Sequence, residues 1–480
     1  MKLIYQVEDK PKTPQLIVFA LQQLLAIMTA TLVVPVITNG SVTDAIKEGK
    51  ISWAFTDQMS PAAALIGAGV GTLIYLFFTR KKSPVFLGSS FAFLGSMASA
   101  FAGASTMALG YLGLILGAVL AGLVYVVIAM IVKASGTKWI EKLMPAVVIG
   151  PTVAIIGLSL AGNAVGDLSS GVEPKISLLC GLVTLAVTMI ASVYGKKSGK
   201  LIPFIYGILA GYAFAVILTI IGKAADVKEL VLLSTEPFEN LLDDGSVALK
   251  TVVSVPDLTF LNLSGAFEEL DGSYFMTVFV AYVPVAFVVF AEHIADHKNI
   301  SSIIERDLLK YPGLHRTLLG DGIGSMAGAL FGGCPNTTYG ESIGCVAITK
   351  NASVISIFAA AVGAIVIAFI SPFIAFVDSI PKCVMGGVCM ALYGFIAVSG
   401  LKMIQKVDLN KNKNLFVVSV ILIAGVGGLS VSFGKVSITE VACALVLGIL
   451  TNLLLKNGPE EDSTEETKEA DNKKKSITEF

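Results

Sequence analysis

Apolar residues come in long runs along this chain, and polar residues collect in the gaps between them. A helix needs about 20 largely apolar residues to cross the hydrocarbon layer of a bilayer. On that basis the pattern predicts fourteen spans. The first half holds 15–38, 59–79, 84–104, 109–133, 144–163, 176–195 and 201–222. The second half holds 274–293, 315–331, 334–349, 352–377, 383–400, 414–433 and 438–456. A polar stretch, 223–272, separates them. Fourteen divides into seven and seven. An odd number per half sets the halves in opposite orientations, the inverted repeat common among secondary transporters. The expected fold is an all-α polytopic membrane protein with 14 transmembrane segments as a 7+7 inverted repeat.

Composition agrees with this pattern. Hydrophobic residues make up 55% of the 480 and charged residues 14%, where a soluble domain carries roughly 25% charged residues. The net charge of −1 offers no field to attract nucleic acid or an acidic partner. Lysine and arginine set the orientation. With the N-terminus in the cytoplasm, 22 of the 34 fall on the cytoplasmic side, 8 outside and 4 in the C-terminal tail. Both termini are therefore expected in the cytoplasm, with the chain multi-pass in the cell (plasma) inner membrane. MKLIYQVEDKPKTPQ lacks the order of a signal peptide, so the first apolar run is expected to be retained. Residues 457–480 are polar and predict a disordered tail. The six cysteines show no zinc-type pairing and read as small core residues.

One segment breaks the apolar rule. Phe331–Lys350 reads FGGCPNTTYGESIGCVAITK, with Pro335, Asn336, Gly340 and the carboxylate of Glu341 at membrane depth. Irregular backbone survives there only where protein buries it or where it lines a cavity. An ionisable residue there is by default a functional candidate. The third segment carries a similar interruption, Pro84-Val-Phe-Leu-Gly-Ser-Ser-Phe-Ala-Phe93. Third in one half and third in the other, these are the paired Gly/Pro-interrupted segments that point to a transporter's binding site.

Glu341 could cap a half-helix N-terminus or bind substrate. Glu292 follows the apolar run Tyr274–Ala291, which places it near the end of that span. Asp296 lies one turn on, on the same face. Two carboxylates on one face of a low-dielectric site cannot both ionise cheaply, the electrostatic condition that proton coupling requires. His293 points away from Glu292 and reads as structural. His315 falls in a basic loop and reads as solvated. Gln22 and Gln23 interrupt the first span, where a buried amide satisfies backbone or supports a site. No phosphate loop of the G-x-x-x-x-G-K-[ST] type and no H-E-x-x-H spacing occurs, so neither direct ATP use nor metal-dependent catalysis is expected.

Four stretches carry a resemblance. They are AEHIADHKNI (291–300), DLLKYPGLHRTLLGDGIGSMAGALFGGCPNTTYGESIG (307–344), LGSSFAF (87–93) and IPKCVMGGVCMALYGFIAVSG (380–400). From about residue 14 to 456 the chain resembles the nucleobase–ascorbate transporter (nucleobase:cation symporter) family, and within it the bacterial uracil permease branch. The resemblance implies a homodimer importing uracil by proton symport, with the core moving against the gate like an elevator. It implies a core domain of 1–139 and 273–378, and a gate domain of 140–222 and 379–456. The stretch 223–272 becomes an extracellular loop. Short antiparallel strands are expected in spans 3 and 10. Glu292 and Glu341 are expected to bind substrate with Phe91, Gly340, Tyr339 and Tyr393. Glu292 and Asp296 couple the proton, and Gln23, Ser342, Ser89 and Ser90 support the site. No cofactor is expected beyond the coupling ion, a proton with sodium as the other choice. The chain departs from the family at Ser342, where Asn is usual, and at Gln22-Gln23, where Gln-His is usual. Asp296 stands where some uracil permeases have His. A xanthine/urate-type purine permease is the alternative reading, although purine-carrying relatives usually have Gln at the place of Glu341. An anion transporter of the same overall fold is a further alternative, disfavoured because buried carboxylates repel an anion.

Overall fold

The computed structural model describes residues 3–242, 249–433 and 436–455. The stretch expected to form a disordered tail lies outside the described residues. The main elements run α1 (Thr13–Lys47), α2 (Pro61–Phe78), β1 (Leu87–Ser89), α3 (Leu94–Gly103) and α4 (Met107–Ser135). They continue as α5 (Ala146–Leu168), α6 (Pro174–Tyr194), α7 (Pro203–Ala225), α8 (Gly272–Ile304), α9 (Leu314–Gly332), β2 (Asn336–Thr338) and α10 (Gly340–Thr349). The chain ends with α11 (Val354–Ile367), α12 (Lys382–Ile404), α13 (Asn412–Val426) and α14 (Glu440–Leu454). Among the described residues, 8 helices are long and apolar enough to cross a membrane: α1, α2, α4, α5, α6, α7, α8 and α12. The other six expected spans hold shorter or more polar helices. Span 414–433 is cut short because the helix stops at Val426, beside Gly427 and Gly428. Gly428 has φ of 69°, a left-handed conformation that ends helices and suits glycine.

Helices α1–α4 pack chiefly with α8–α11, and α5–α7 chiefly with α12–α14. Exposure among the long apolar helices is greatest on α6 and α7. In the most apolar windows of α1 and α2, 67% and 72% of residues are buried, against 28% and 33% in α6 and α7. The exposed residues of α6 and α7 include Leu179, Ile190, Ile217 and Ile220, side chains that suit lipid.

Glycine sets close packing between α2 and α9. Gly67 and Gly71 on α2 face Gly328 and Gly324 on α9, each pair four residues apart. Small residues at this spacing let helix backbones approach closely. A Cβ on Gly67 would lie 2.4 Å from the Gly328 carbonyl oxygen, and backbone cannot step aside as a flexible side chain can. Gly67→Ala is expected to destabilise the protein by about 1–3 kcal/mol through overpacking. Thermal melting in detergent checks this, and an unchanged melting point would contradict such a tight contact.

Loops from both halves meet at one end of the molecule. The Ile4 amide donates to the Lys350 carbonyl at 2.8 Å, and the Val354 amide to the Val7 carbonyl at 3.1 Å. Glu8 accepts from Lys82 at 3.0 Å and from Arg306 at 2.7 Å. The Arg306 hydrogen bond, reinforced by Lys82, holds the Glu8 carboxyl down at about 2. A depressed carboxylate contributes stability above its unfolded value and loses it as pH falls through its folded value. The contribution of Glu8 should therefore be full above about pH 4.5 and fade toward pH 2. Melting temperature followed across that window should fall more steeply for the wild type than for Glu8→Gln; parallel curves would remove Glu8 as a stabilising contact.

Candidate functional site

Two interrupted segments build the centre. β1 and β2 pair antiparallel in the register Leu87↔Thr338, Gly88↔Thr337 and Ser89↔Asn336. A pair this short is marginal in water; here every one of its residues is buried. Thr72 of α2 pins β1, its Oγ1 accepting from the Leu87 amide at 2.9 Å. The Ser90 amide donates to the Pro335 carbonyl at 2.9 Å, so the proline that cannot donate still closes the ladder.

Each strand leads into a half-helix, and the two half-helices point at each other. Beyond α3, Ala104 accepts from the Trp53 indole at 3.0 Å at one end of the molecule. Beyond α10, Lys350 meets Ile4 at the opposite end. Ten helical residues rise about 15 Å, half of a hydrocarbon layer of about 30 Å. The N-termini of α3, with its lead-in turn Phe91–Phe93, and of α10 thus converge near mid-depth. Both bring positive dipole ends to that point.

Glu341 occupies the first turn of α10, and its carboxylate reaches back to its own backbone amide. Gly340 beside it opens onto free space, with nothing within 4 Å of where a Cβ would stand. On α8, Glu292 and Asp296 are half-buried. Asp296 Oδ2 accepts from Thr338 Oγ1 of β2 at 2.7 Å. Asp296, Glu341 and Asp321 lie within electrostatic reach of Glu292. The expectation that Glu292 sits near a helix end is corrected: α8 continues to Ile304. Polar His293 and His297 are buried inside the protein, so the helix outruns its apolar stretch.

The expected supporting residues gather here as well. Gln23 donates through Nε2 to Ser342 Oγ. The same Oγ accepts from the Phe86 amide at 3.0 Å, tying α1 and α10 to the approach of β1. Tyr339 donates its hydroxyl to the Ser89 carbonyl at 2.7 Å, and its ring lies where a Cβ on Gly88 would fall, 2.3 Å away. It is a strut across the strand pair. Ser89 and Ser90 are buried with hydroxyls that have no protein partner. Tyr393 reaches in from α12 and meets the Phe91 ring edge-on at 5.8 Å.

Sequence reasoning missed Asp321 of α9. His293 Nδ1 lies 2.6 Å from Asp321 Oδ2, and its Nε2 lies 3.0 Å from Thr317 Oγ1. Thr317 donates its own hydrogen to the Leu314 carbonyl at 3.0 Å, so it can only accept from His293. Nε2 therefore carries a hydrogen, and the Asp321–His293 contact holds one further proton between two buried groups. The pair is net neutral in either arrangement of that proton. The signal was present in Gly320-Asp321-Gly322, an ionisable residue inside an expected span. His315, expected in a solvated loop, instead lies half-buried in the first turn of α9.

Known proteins are similar over nearly the whole chain. A permease-family model (Xan_ur_permease) matches residues 14–433. The uracil permease of Bacillus caldolyticus is 37% identical over 466 residues, covering 96% of each chain. That of Bacillus subtilis (strain 168) is 36% identical, covering 95% of this chain and 96% of its own. That of Escherichia coli (strain K12) is 34% identical, covering 94% and 93%. The transmembrane domain of the cyanobacterial bicarbonate transporter BicA shares the fold, with a TM-score of 0.55 at 12% identity over 93% of this chain and 100% of that one. The murine anion transporter Slc26a9 does likewise, with a TM-score of 0.59 at 10% identity over 93% of this chain and 69% of that one.

Proposed function

The chain belongs to the nucleobase–ascorbate transporter family, the permease family of the matching model, and from that premise we propose that it imports uracil by proton symport. It is a multi-pass membrane permease and not an enzyme. The observation that carries the reading is the open mid-depth point where α3 and α10 converge, with Glu341 on one half-helix and Glu292 beside it.

That arrangement suits a small planar base. Uracil has N–H donors next to carbonyl acceptors. Carboxylates accept from the N–H groups, and half-helix amides at Phe91 and Gly340 donate to the carbonyls. Phe91 and Tyr393 border the base, one from each helix group. Glu292 and Asp296 carry the coupled proton. Fourteen segments in a 7+7 inverted repeat cross the inner membrane with both termini cytoplasmic, and the chain works as a homodimer. The helices α1–α4 and α8–α11 form the core that moves, and α5–α7 with α12–α14 form the gate. A proton moving inward gains about 2.3 kcal/mol per 100 mV, enough for roughly fifty-fold accumulation.

Uptake of labelled uracil into proteoliposomes, with and without an inward proton gradient and with xanthine as competitor, tests this. Gradient-stimulated uptake that resists xanthine is expected. Uptake indifferent to the proton gradient would remove the coupling, and sodium would then be the ion to try. Transport of xanthine in place of uracil would establish the purine reading.

A further inference from the structure

Beside β2 lies a cavity bordered by Phe93, Gly122, Tyr125, Asp321, Ser325 and Asn336, with about 10 Å³ of room for a water-sized molecule. It is narrow and admits one water-sized occupant. Three of the bordering residues each have one side-chain atom with no hydrogen-bond partner within the protein: Tyr125 Oη, Asp321 Oδ1 and Asn336 Oδ1. All three residues are buried, at 4%, 1% and 2% exposure. Their other polar atoms are already engaged. Asp321 Oδ2 meets His293 at 2.6 Å, and Asn336 Nδ2 donates to the Gly67 carbonyl at 2.9 Å. Three elements, α4, α9 and β2, thus each contribute to the border of one small space a residue with one unpaired polar atom.

We propose that this cavity is a binding site for a single water molecule that accepts from Tyr125 Oη and donates to Asp321 Oδ1 and Asn336 Oδ1. The chemistry of the set selects water. It offers one hydroxyl donor and two carbonyl-type acceptors, the complement of a water making three hydrogen bonds. A sodium ion would place an uncompensated charge beside the neutral Asp321–His293 pair and leave the Tyr125 hydrogen without an acceptor. The bound water joins the shared proton of that pair to Asn336, the first residue of the strand whose last residue, Thr338, holds Asp296. Tyr125 and Asn336 are therefore positioning residues: they act on the substrate site through β2.

A structure of the full chain at a resolution that shows ordered water, determined in sodium-free choline buffer and again with thallium, reads the occupant directly. One density within hydrogen-bond reach of all three atoms, unchanged between buffers, is expected. Density that appears or strengthens only with thallium would replace the water with a cation, and an empty cavity would overturn the site. Tyr125→Phe removes only the hydroxyl. It should raise the KM for uracil about threefold to tenfold, the worth of one lost hydrogen bond, and leave kcat near the wild-type value. An unchanged KM in a folded variant would overturn the positioning role. The KM arm rests on the uracil reading and the density arm does not, so failure of that reading shows separately, as absence of uracil uptake by the wild type.

Discussion

Replacing Glu341 with Gln is expected to weaken uracil binding about tenfold to a hundredfold, the range for losing a hydrogen bond to a charged group. The side chain keeps its length and shape, so the helix start and the strand pair should survive. What changes is the pattern of donors and acceptors. A carboxylate offers only acceptors to the uracil N–H. The amide keeps one acceptor and adds an NH2 that can face an N–H on the base. Glu341 also sits in the first turn of α10, where the helix N-terminus favours a nearby negative charge. Loss of the charge weakens the order of the junction as well as the direct contact. Binding of labelled uracil to purified protein, with xanthine as competitor, measures the effect. Xanthine should compete better against the variant than against the wild type, as the resemblance implies for Gln at this place. Uracil affinity equal to that of the wild type would take Glu341 out of the site.

Glu292→Ala should abolish uphill uracil accumulation while the protein still inserts and folds. Alanine is the best helix former, and α8 is anchored on both sides of position 292. Tyr274 donates to the Ala100 carbonyl at 2.8 Å near its start, and His297 accepts or donates at 2.7 Å with Tyr75 beyond it. The change removes a carboxylate that has no hydrogen-bond partner among the described residues, so no buried group is orphaned. If Glu292 both accepts from the base and carries the proton, binding and coupling fail together. Size-exclusion behaviour and melting check the fold, and uptake under an inward proton gradient checks the function. Normal accumulation by a well-folded variant would end the proposed role of Glu292.

Several features were legible in the chain before any tertiary structure. The long apolar runs marked helices because a bilayer leaves backbone polar groups no other partner. The two proline-containing interruptions marked irregular backbone, which survives at that depth only where protein buries it or where it lines a cavity; the strands within them were implied by the family resemblance alone. The segment PNTTYGES marked the carboxylate of Glu341 at membrane depth, at what proves to be the start of α10. Other features were not legible. Spans 84–104 and 334–349 look like helices by composition, but each is part strand and part helix. Only the partner strand, more than 240 residues away, satisfies that backbone. Tyr339 was expected at the substrate, and nothing local reveals that its hydroxyl is spent on Ser89 across the strand pair. Gln23 and Ser342 could be proposed singly as support, but not as one hydrogen-bonded unit reaching the Phe86 amide.

By itself the sequence determined that this is a polytopic membrane protein, which segments are irregular, and which carboxylates lie among apolar residues. These follow from local chemistry, because burial in lipid punishes each unpaired polar group where it stands. Only the tertiary structure decided which of those groups meet. Asp321 and His293 are 28 residues apart and share one proton. Asp296 and Thr338 are 42 residues apart and join α8 to β2. Glu341 and Glu292 come within electrostatic reach of one another because α10 starts against α8. Such meetings depend on helix packing set by glycines on α2 and α9, and packing is a property of pairs of surfaces, which no single run of residues contains.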